Sequence, residues 1–262
     1  MLLLNDPFKF SRFKPWLALL NDGRTTYWLP NGFGVPKEFE MDAANRKLKS
    51  IMIKPWPGAA LPCDIELSTA TIRSQSSRTA ALVGSLWDPS QLTYVHDVVL
   101  RLQKDGITLH HYGYCNWCNS RCRLPGAQGA NLCRILNGST TGFRTHASVS
   151  DGAALNLLDT SLMSPDFRKD SHIRSEYAPD RWFRHAAGGA LIVTNSPAAA
   201  HYFGDAAVAT QNGTRMVDDA LRILKNRTEL KRVLSKAAGI VRSEHTYTHR
   251  VLSLISMFPN AR

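Results

Sequence analysis

From residue 79 onward the chain alternates between short apolar runs and longer stretches of helical spacing, and this alternation constrains the fold more than any other feature. Residues 80–83 are apolar throughout and stop at Gly84 and Ser85; residues 91–103 then place Leu92, Val95, Val98, Val99 and Leu102 at helical spacing. Residues 107–111 read as the next strand, and 153–158, 190–194 and 206–209 as further strands. Helices are expected over 175–187, 215–225 and 229–241. Strands spaced by helices join through crossovers, which gives an α/β chain: a Rossmann-like parallel sheet with helices on both faces.

The junction at 180–197 is the densest in chemistry. Phe183, Ala186 and Ala187 keep helical spacing, Gly188 and Gly189 end the helix, and an apolar run follows. In open α/β sheets small molecules bind beyond the carboxyl ends of strands, and here Arg174, Arg181 and Arg184 crowd the same stretch. The structural alternative for these arginines is ion pairing with Asp166, Glu176 or Asp180. Gly84 and Ser85, between a strand and a helix, are a second place where a backbone without Cβ lets a phosphate approach.

Several short motifs occur in a fixed order. They are the strand ending in Gly84-Ser85, a helix closing in Lys104-Asp105-Gly106, and a strand closing in Tyr112-Gly113. Next comes Arg-x-Phe-x-x-x-Ala-x-Gly-Ala over 181–190, leading into Thr194-Asn195, and then Phe203-Gly204-Asp205 and the stretch from Glu244 to Arg250. Over residues 78–258 this order resembles the GT-B glycosyltransferases, the group that includes the bacterial spore-maturation glycosyltransferases. The resemblance implies the C-terminal, nucleotide-sugar-binding half of a GT-B fold, and transfer of a sugar from a nucleotide-diphosphate sugar to an acceptor. No metal or other cofactor is required for such catalysis. Donor-contacting positions are implied at Gly84, Ser85, Gly113, Arg174, Arg184 and Asn195, and catalytic roles at Glu176 and Arg181. Many retaining members carry two glutamates eight residues apart, the second accepting from ribose hydroxyls. Glu176 fits the first place, but Arg184 stands at the second, and a guanidinium has no acceptor. The alternatives are a catalytically silent binding or scaffold protein of the same fold, or a basic nucleic-acid-associated protein.

Residues 1–60 read as a short N-terminal region, the remnant or end of an acceptor-side domain. A helix is expected over 8–20, a strand over 25–29 with a turn after it, a helix over 38–48 and extended chain over 49–53. Residues 61–78, rich in Ser and Thr towards their end, read as a linker, leaving 79–262 as the binding domain. On this reading the chain alone transfers sugar poorly, and a second subunit, by self-association or otherwise, completes the cleft.

The formal net charge is +11, and from 221 to 262 nine Lys or Arg face two Glu, so seven of the excess charges lie in the tail. A nucleotide diphosphate needs only two or three cations; the tail therefore points to a further polyanion, a nucleic acid or anionic surface. Cys115, Cys118, Cys122 and Cys133 lie within nineteen residues, a set that as four thiolates could hold a structural zinc, with free thiols or disulfides as the alternatives. No run of eighteen apolar residues occurs, and the opening residues do not form a signal peptide, so a cytoplasmic location is expected.

Overall fold

The computed structural model describes residues 2–5, 26–30, 51–53, 57–61, 78–86, 88–115, 126–136 and 142–256. Near the N-terminus, β1 (Leu2–Asn5), β2 (Thr26–Pro30) and β3 (Ile51–Ile53) pair in parallel, in that order. The strand expected over 25–29 and the extended chain over 49–53 correspond to β2 and β3. The helices expected over 8–20 and 38–48, the turn after Pro30 and most of the 61–78 linker lie outside the described residues.

The second sheet carries the rest of the fold. Its first ladder is β4 (Thr79–Val83), β5 (Thr108–Tyr112) and β6 (Phe143–His146); its second is β7 (Pro165–Asp166), β8 (Ile192–Thr194) and β9 (Ala207–Ala209), all parallel. Two hydrogen bonds, Ala81 N–H to Met163 C=O at 3.0 Å and Leu162 N–H to Thr79 C=O at 2.8 Å, set β4 beside the chain leading into β7. The spatial order is therefore β6-β5-β4-β7-β8-β9. This is the doubly wound arrangement, in which the winding reverses between the first and fourth strands, here β4 and β7.

Helices flank the sheet: α1 (Pro89–Gln103), α2 (Gly126–Leu136), α3 (Asp151–Thr160), α4 (Asp170–Arg174), α5 (Asp180–Ala187), α6 (Ala198–Phe203), α7 (Gly213–Lys225), α8 (Arg227–Glu244) and α9 (Tyr247–Ser256). Helix α1 starts where it does because Asp88 accepts from Ser90 N–H and Gln91 reaches back to Asp88 N–H, a reciprocal cap; its buried face is the apolar set read from the sequence. Trp182 and Phe183 of α5 are fully buried, as are Val233 and Val241 of α8, and truncating an aromatic of this kind to Ala costs about 3–5 kcal/mol. No described helix is long and apolar enough to cross a membrane.

Two sequence readings need correction. Residues 153–158, read as a strand, lie in α3: Ser150 Oγ accepts from Ala153 N–H and caps a helix there, and the place in the sheet is taken by β6 and β7. The helix read over 175–187 starts later, at Asp180 as α5, and a separate short helix, α4, ends before it at Arg174. Glu176 has φ +51, the single non-glycine residue with positive φ among those described, and Tyr177 N–H returns to His172 C=O, closing α4; α5 starts afresh after Pro179.

The tail folds back onto residues 57–61. Ala60 N–H donates to His245 C=O at 2.9 Å and Tyr247 N–H to Ala60 C=O at 3.0 Å, while Gly58 N–H donates to Ala178 C=O at 2.8 Å. Arg250 adds bonds to the Pro57 and Gly58 carbonyls, and Asp180 accepts from Ala59 N–H and from the Tyr247 hydroxyl. His245 and His249 each have a partner here: His245 Nδ1 accepts from Arg250 at 2.8 Å, and His249 Nδ1 meets Thr246 Oγ1 at 2.6 Å.

Candidate functional site

A cleft of about 340 Å³ opens where the winding reverses, beyond the carboxyl ends of β4 and β7. Its β4 wall is Val83, Gly84 and Ser85; its β7 wall is Asp166, Phe167, Arg168 and Lys169, with His172 of α4 and Arg181 of α5 closing it. Gln91 of α1 ties the two walls together by donating to Phe167 C=O at 2.7 Å.

Two glycines shape the β4 side. Gly84 has φ +136, and a Cβ there would lie 2.9 Å from both terminal nitrogens of Arg181. Gly113, at φ +153, would set a Cβ 2.3 Å from the Gly84 carbonyl oxygen. The end of β5 thus packs on the end of β4, and the end of β4 on the Arg181 guanidinium, approaches open only to residues without Cβ. His111 supports the stack from beneath, with Nε2 2.7 Å from the Gly84 carbonyl. Burial pushes the imidazole below its ordinary pKa, so it is neutral and donates from Nε2; its Nδ1 has no partner among the described residues.

Asp166 organises the other side. Its side chain is 3% exposed and accepts from Arg168 Nη2, from Arg181 Nη1 at 2.8 Å and from Trp182 Nε1 at 2.8 Å. Burial alone would raise its pKa, but the two guanidiniums and these hydrogen bonds prevail and hold the carboxyl at about 2. Arg168 is fixed in turn through its backbone, since Asn195 Oδ1 accepts from Arg168 N–H at 2.6 Å and Asn195 Nδ2 donates to Arg168 C=O at 2.8 Å. Arg168 Nε is buried and without a partner among the described residues, a donor lacking an acceptor. With Arg168, Lys169 and Arg181 against Asp166, the lining carries a formal charge of three minus one, or +2. Half-buried, preorganised cations beside a backbone cradle suit a diphosphate.

Of the residues singled out in the sequence, Gly84, Ser85 and Arg181 line this cleft, and Gly113 forms its floor through Gly84. Arg181 also makes the ion pair with Asp166 weighed as its structural alternative. Asn195 is buried with both ends of its amide on the Arg168 backbone, so it positions a cleft residue without facing the cleft. Arg174 and Glu176 are exposed at the end of α4, and Arg184 sits on α5 near Tyr247. None of the three is among the lining residues. Sequence reasoning missed Arg168, Lys169 and His172. Their signal is a pair of cations directly after a Pro-Asp-Phe turn of chain, which becomes legible only once 165–166 is known to be a strand.

The cysteine reading is corrected in part. Cys115 and Cys133 are each disulfide-bonded, and Cys118 and Cys122 lie outside the described residues. A sulfur engaged in a disulfide has no thiolate to give a metal, so these two are not zinc ligands in this state. No cluster of three or more metal-ligating side chains occurs among the described residues.

Residues 96–256 match the model of the family described as Glycosyl transferase-like. No curated protein matches the sequence. Among solved structures, a S. aureus TarM mutant in complex with fondaparinux, alpha-GlcNAc-glycerol and UDP aligns with a TM-score of 0.63 at 10% identity, over 98% of this chain and 55% of that one. A UDP-forming trehalose-phosphate synthase from Burkholderia xenovorans aligns at 0.60 and 10% identity, over 97% and 72%. An alpha-glucosyltransferase in complex with UDP and a 13-mer DNA containing an HMU base aligns at 0.59 and 8% identity, over 99% and 79%. These likenesses show the fold, that of GT-B glycosyltransferases. The chain spans about half the length of the TarM structures.

Proposed function

Because the chain belongs to the glycosyl transferase-like family, we propose that it binds a nucleotide-diphosphate sugar and serves as the donor side of a sugar transfer. One observation carries the reading: Arg168 and Arg181 converge on the buried Asp166 directly beneath the Gly84–Gly113 stack, at the point where the sheet reverses its winding. The diphosphate lies against that stack. Breaking the bond from the anomeric carbon to phosphate puts negative charge on the departing diphosphate, and fixed cations that need no reorganisation stabilise it as it forms. TarM and the alpha-glucosyltransferase are both described with UDP, which makes uridine nucleotides the first to try.

A thermal-shift panel of UDP-, GDP-, ADP- and CDP-sugars tests this. A ligand at about a hundred times its Kd adds about 2.7 kcal/mol, or about 5–10 °C in Tm for a domain of this size. A panel in which no member moves the Tm at millimolar concentration overturns the reading.

Arg184 favours a second reading, donor binding without turnover, because a guanidinium in place of the ribose-binding carboxylate removes an acceptor from the nucleotide site. The tail supports a separate partner. Lys225, Arg227 and Lys231 are exposed along α7 and α8, whereas Arg222 is paired with Glu229, and Arg232 and Lys236 with Asp205. That stripe is the place for a polyanion, a nucleic acid or an anionic surface.

A further inference from the structure

The cleft holds one titratable side chain that the reading above leaves without a task. His172, the third residue of α4, lines the cleft beside Arg168 and Lys169. Its ring lies against that of Tyr177, with centroids 4.6 Å apart. The same Tyr177 ring lies under the Arg168 guanidinium, 5.7 Å away, so a fixed cation and an imidazole share one aromatic support.

Among the described residues, the charges acting on His172 come from three elements: Lys169 from the start of its own helix, Arg168 and Asp166 from the end of β7, and Asp88 from the cap of α1. Burial is the largest influence, and together with Arg168 and Lys169 it presses the imidazole down to about 3, against the opposing pull of Asp166 and Asp88. In the empty cleft, then, His172 is neutral at any ordinary pH.

A nucleotide-diphosphate sugar inverts that balance. Both of its phosphates are esterified, so it lacks the ionisation near pH 6 of a terminal phosphate and carries about two negative charges across the neutral range. Each anionic charge within hydrogen-bonding reach raises an imidazole pKa by about 1–3, and two together can carry His172 from about 3 to near pH 6 or above. We propose that His172 takes up one proton from solvent as a nucleotide-diphosphate sugar enters the cleft and meets the diphosphate as an imidazolium. No bond of the ligand breaks in this step; the proton passes from buffer to the imidazole. The protein thereby gains a cation that it lacks when empty, in the place where charge collects as the diphosphate departs, which makes His172 a catalytic residue of the transfer. The inference rests on the diphosphate occupying this cleft.

Calorimetric titration of the full chain with UDP-glucose at pH 6, in MES and in Bis-Tris, separates the two claims, because the difference in observed heat between buffers of unlike ionisation enthalpy counts protons. The expected result is an uptake of about 0.3–1 proton per ligand bound. H172Q should abolish the uptake and bind more weakly at pH 6 in proportion to it, about twofold for an uptake of half a proton and about tenfold for nine-tenths, a gap that closes by pH 8.5. H172R, whose guanidinium stays charged even in such surroundings, should restore affinity with no uptake and no dependence on pH over that range. Binding by the native protein without uptake, or uptake that persists in H172Q, overturns the role of His172 and leaves the diphosphate reading standing. Absence of binding by the native protein to every one of the UDP-, GDP-, ADP- and CDP-sugars counts against that reading itself and takes this inference with it.

Discussion

Replacing Asp166 by Asn tests the central arrangement of the cleft most directly. The native carboxylate is 3% exposed, accepts from Arg168, Arg181 and Trp182, and has a pKa of about 2 against 3.8 for the unperturbed group. A carboxyl lowered by that amount on folding contributes about 2.5 kcal/mol at pH 7. The amide keeps the shape but leaves two guanidiniums without their counter-charge, and breaking a buried pair in this way costs about 3–5 kcal/mol. The expected loss on D166N is therefore about 3 kcal/mol at pH 7, read from urea unfolding. The sign with pH follows from the lowered pKa: the contribution is fully present above about pH 5 and is lost as pH falls through about 2. The gap between native and D166N should accordingly narrow steadily from pH 5 to pH 2. A loss under 1 kcal/mol at pH 7, or a gap that does not change with pH, would refute the view that Asp166 is the charged hub of this site.

Three further outcomes follow from geometry already described. G113A should destabilise more than G84A, because its Cβ meets backbone at 2.3 Å whereas that of Gly84 meets a side chain able to move at 2.9 Å; G84A should instead weaken UDP-sugar binding by about tenfold or more, and equal Tm losses would contradict this. Since two of the five cysteines are disulfide-bonded, the denatured, unreduced protein should titrate at most five minus two, or three, thiols; five titratable thiols would return the zinc and free-thiol readings to the front. Binding to heparin or DNA should fall steeply with salt, and neutralising Lys225, Arg227 and Lys231 together should flatten that dependence; retention indifferent to salt would leave the tail as a solvated surface.

What the sequence disclosed follows from how local each signal is. Gly84, Ser85, Gly113 and Arg181 were legible because each sits beside a strong pattern, an apolar strand or a periodic helix, that says where the chain turns. Arg168 and Lys169 were not, and Asp166 was read only as an alternative ion-pair partner of the arginines, because β7 is two residues long, begins with proline and shows no alternation; its place is fixed by Met163 and Leu162 pairing with β4, roughly eighty residues earlier in the chain. Residues 153–158 show the complementary failure, since a short stretch of five apolar residues around Asn156 fits either period and only the Ser150 cap decides for helix. Glu176 was read as part of one long helix, whereas its left-handed backbone is what divides α4 from α5. The function class came through the order of motifs, but the charge balance of the cleft depended on contacts between residues far apart in sequence.

The clasp of residues 57–61 between α5 and α9 changes what counts as one unit of this chain. Asp180 binds that clasp through Ala59 and Tyr247, while the next two residues, Arg181 and Trp182, grip Asp166 in the cleft. A pull on Gly58 or Ala60 is therefore delivered to the first turn of α5, and from there to the groups that would cradle the phosphates. Cutting the gene at residue 78, where the linker reading would put the boundary, would leave Asp180 its bond to Tyr247 but take away the one to Ala59, and would remove the lever that reports on the preceding segment. A fragment meant to preserve the cleft should begin ahead of Pro57, even though the strand that opens the sheet begins at Thr79.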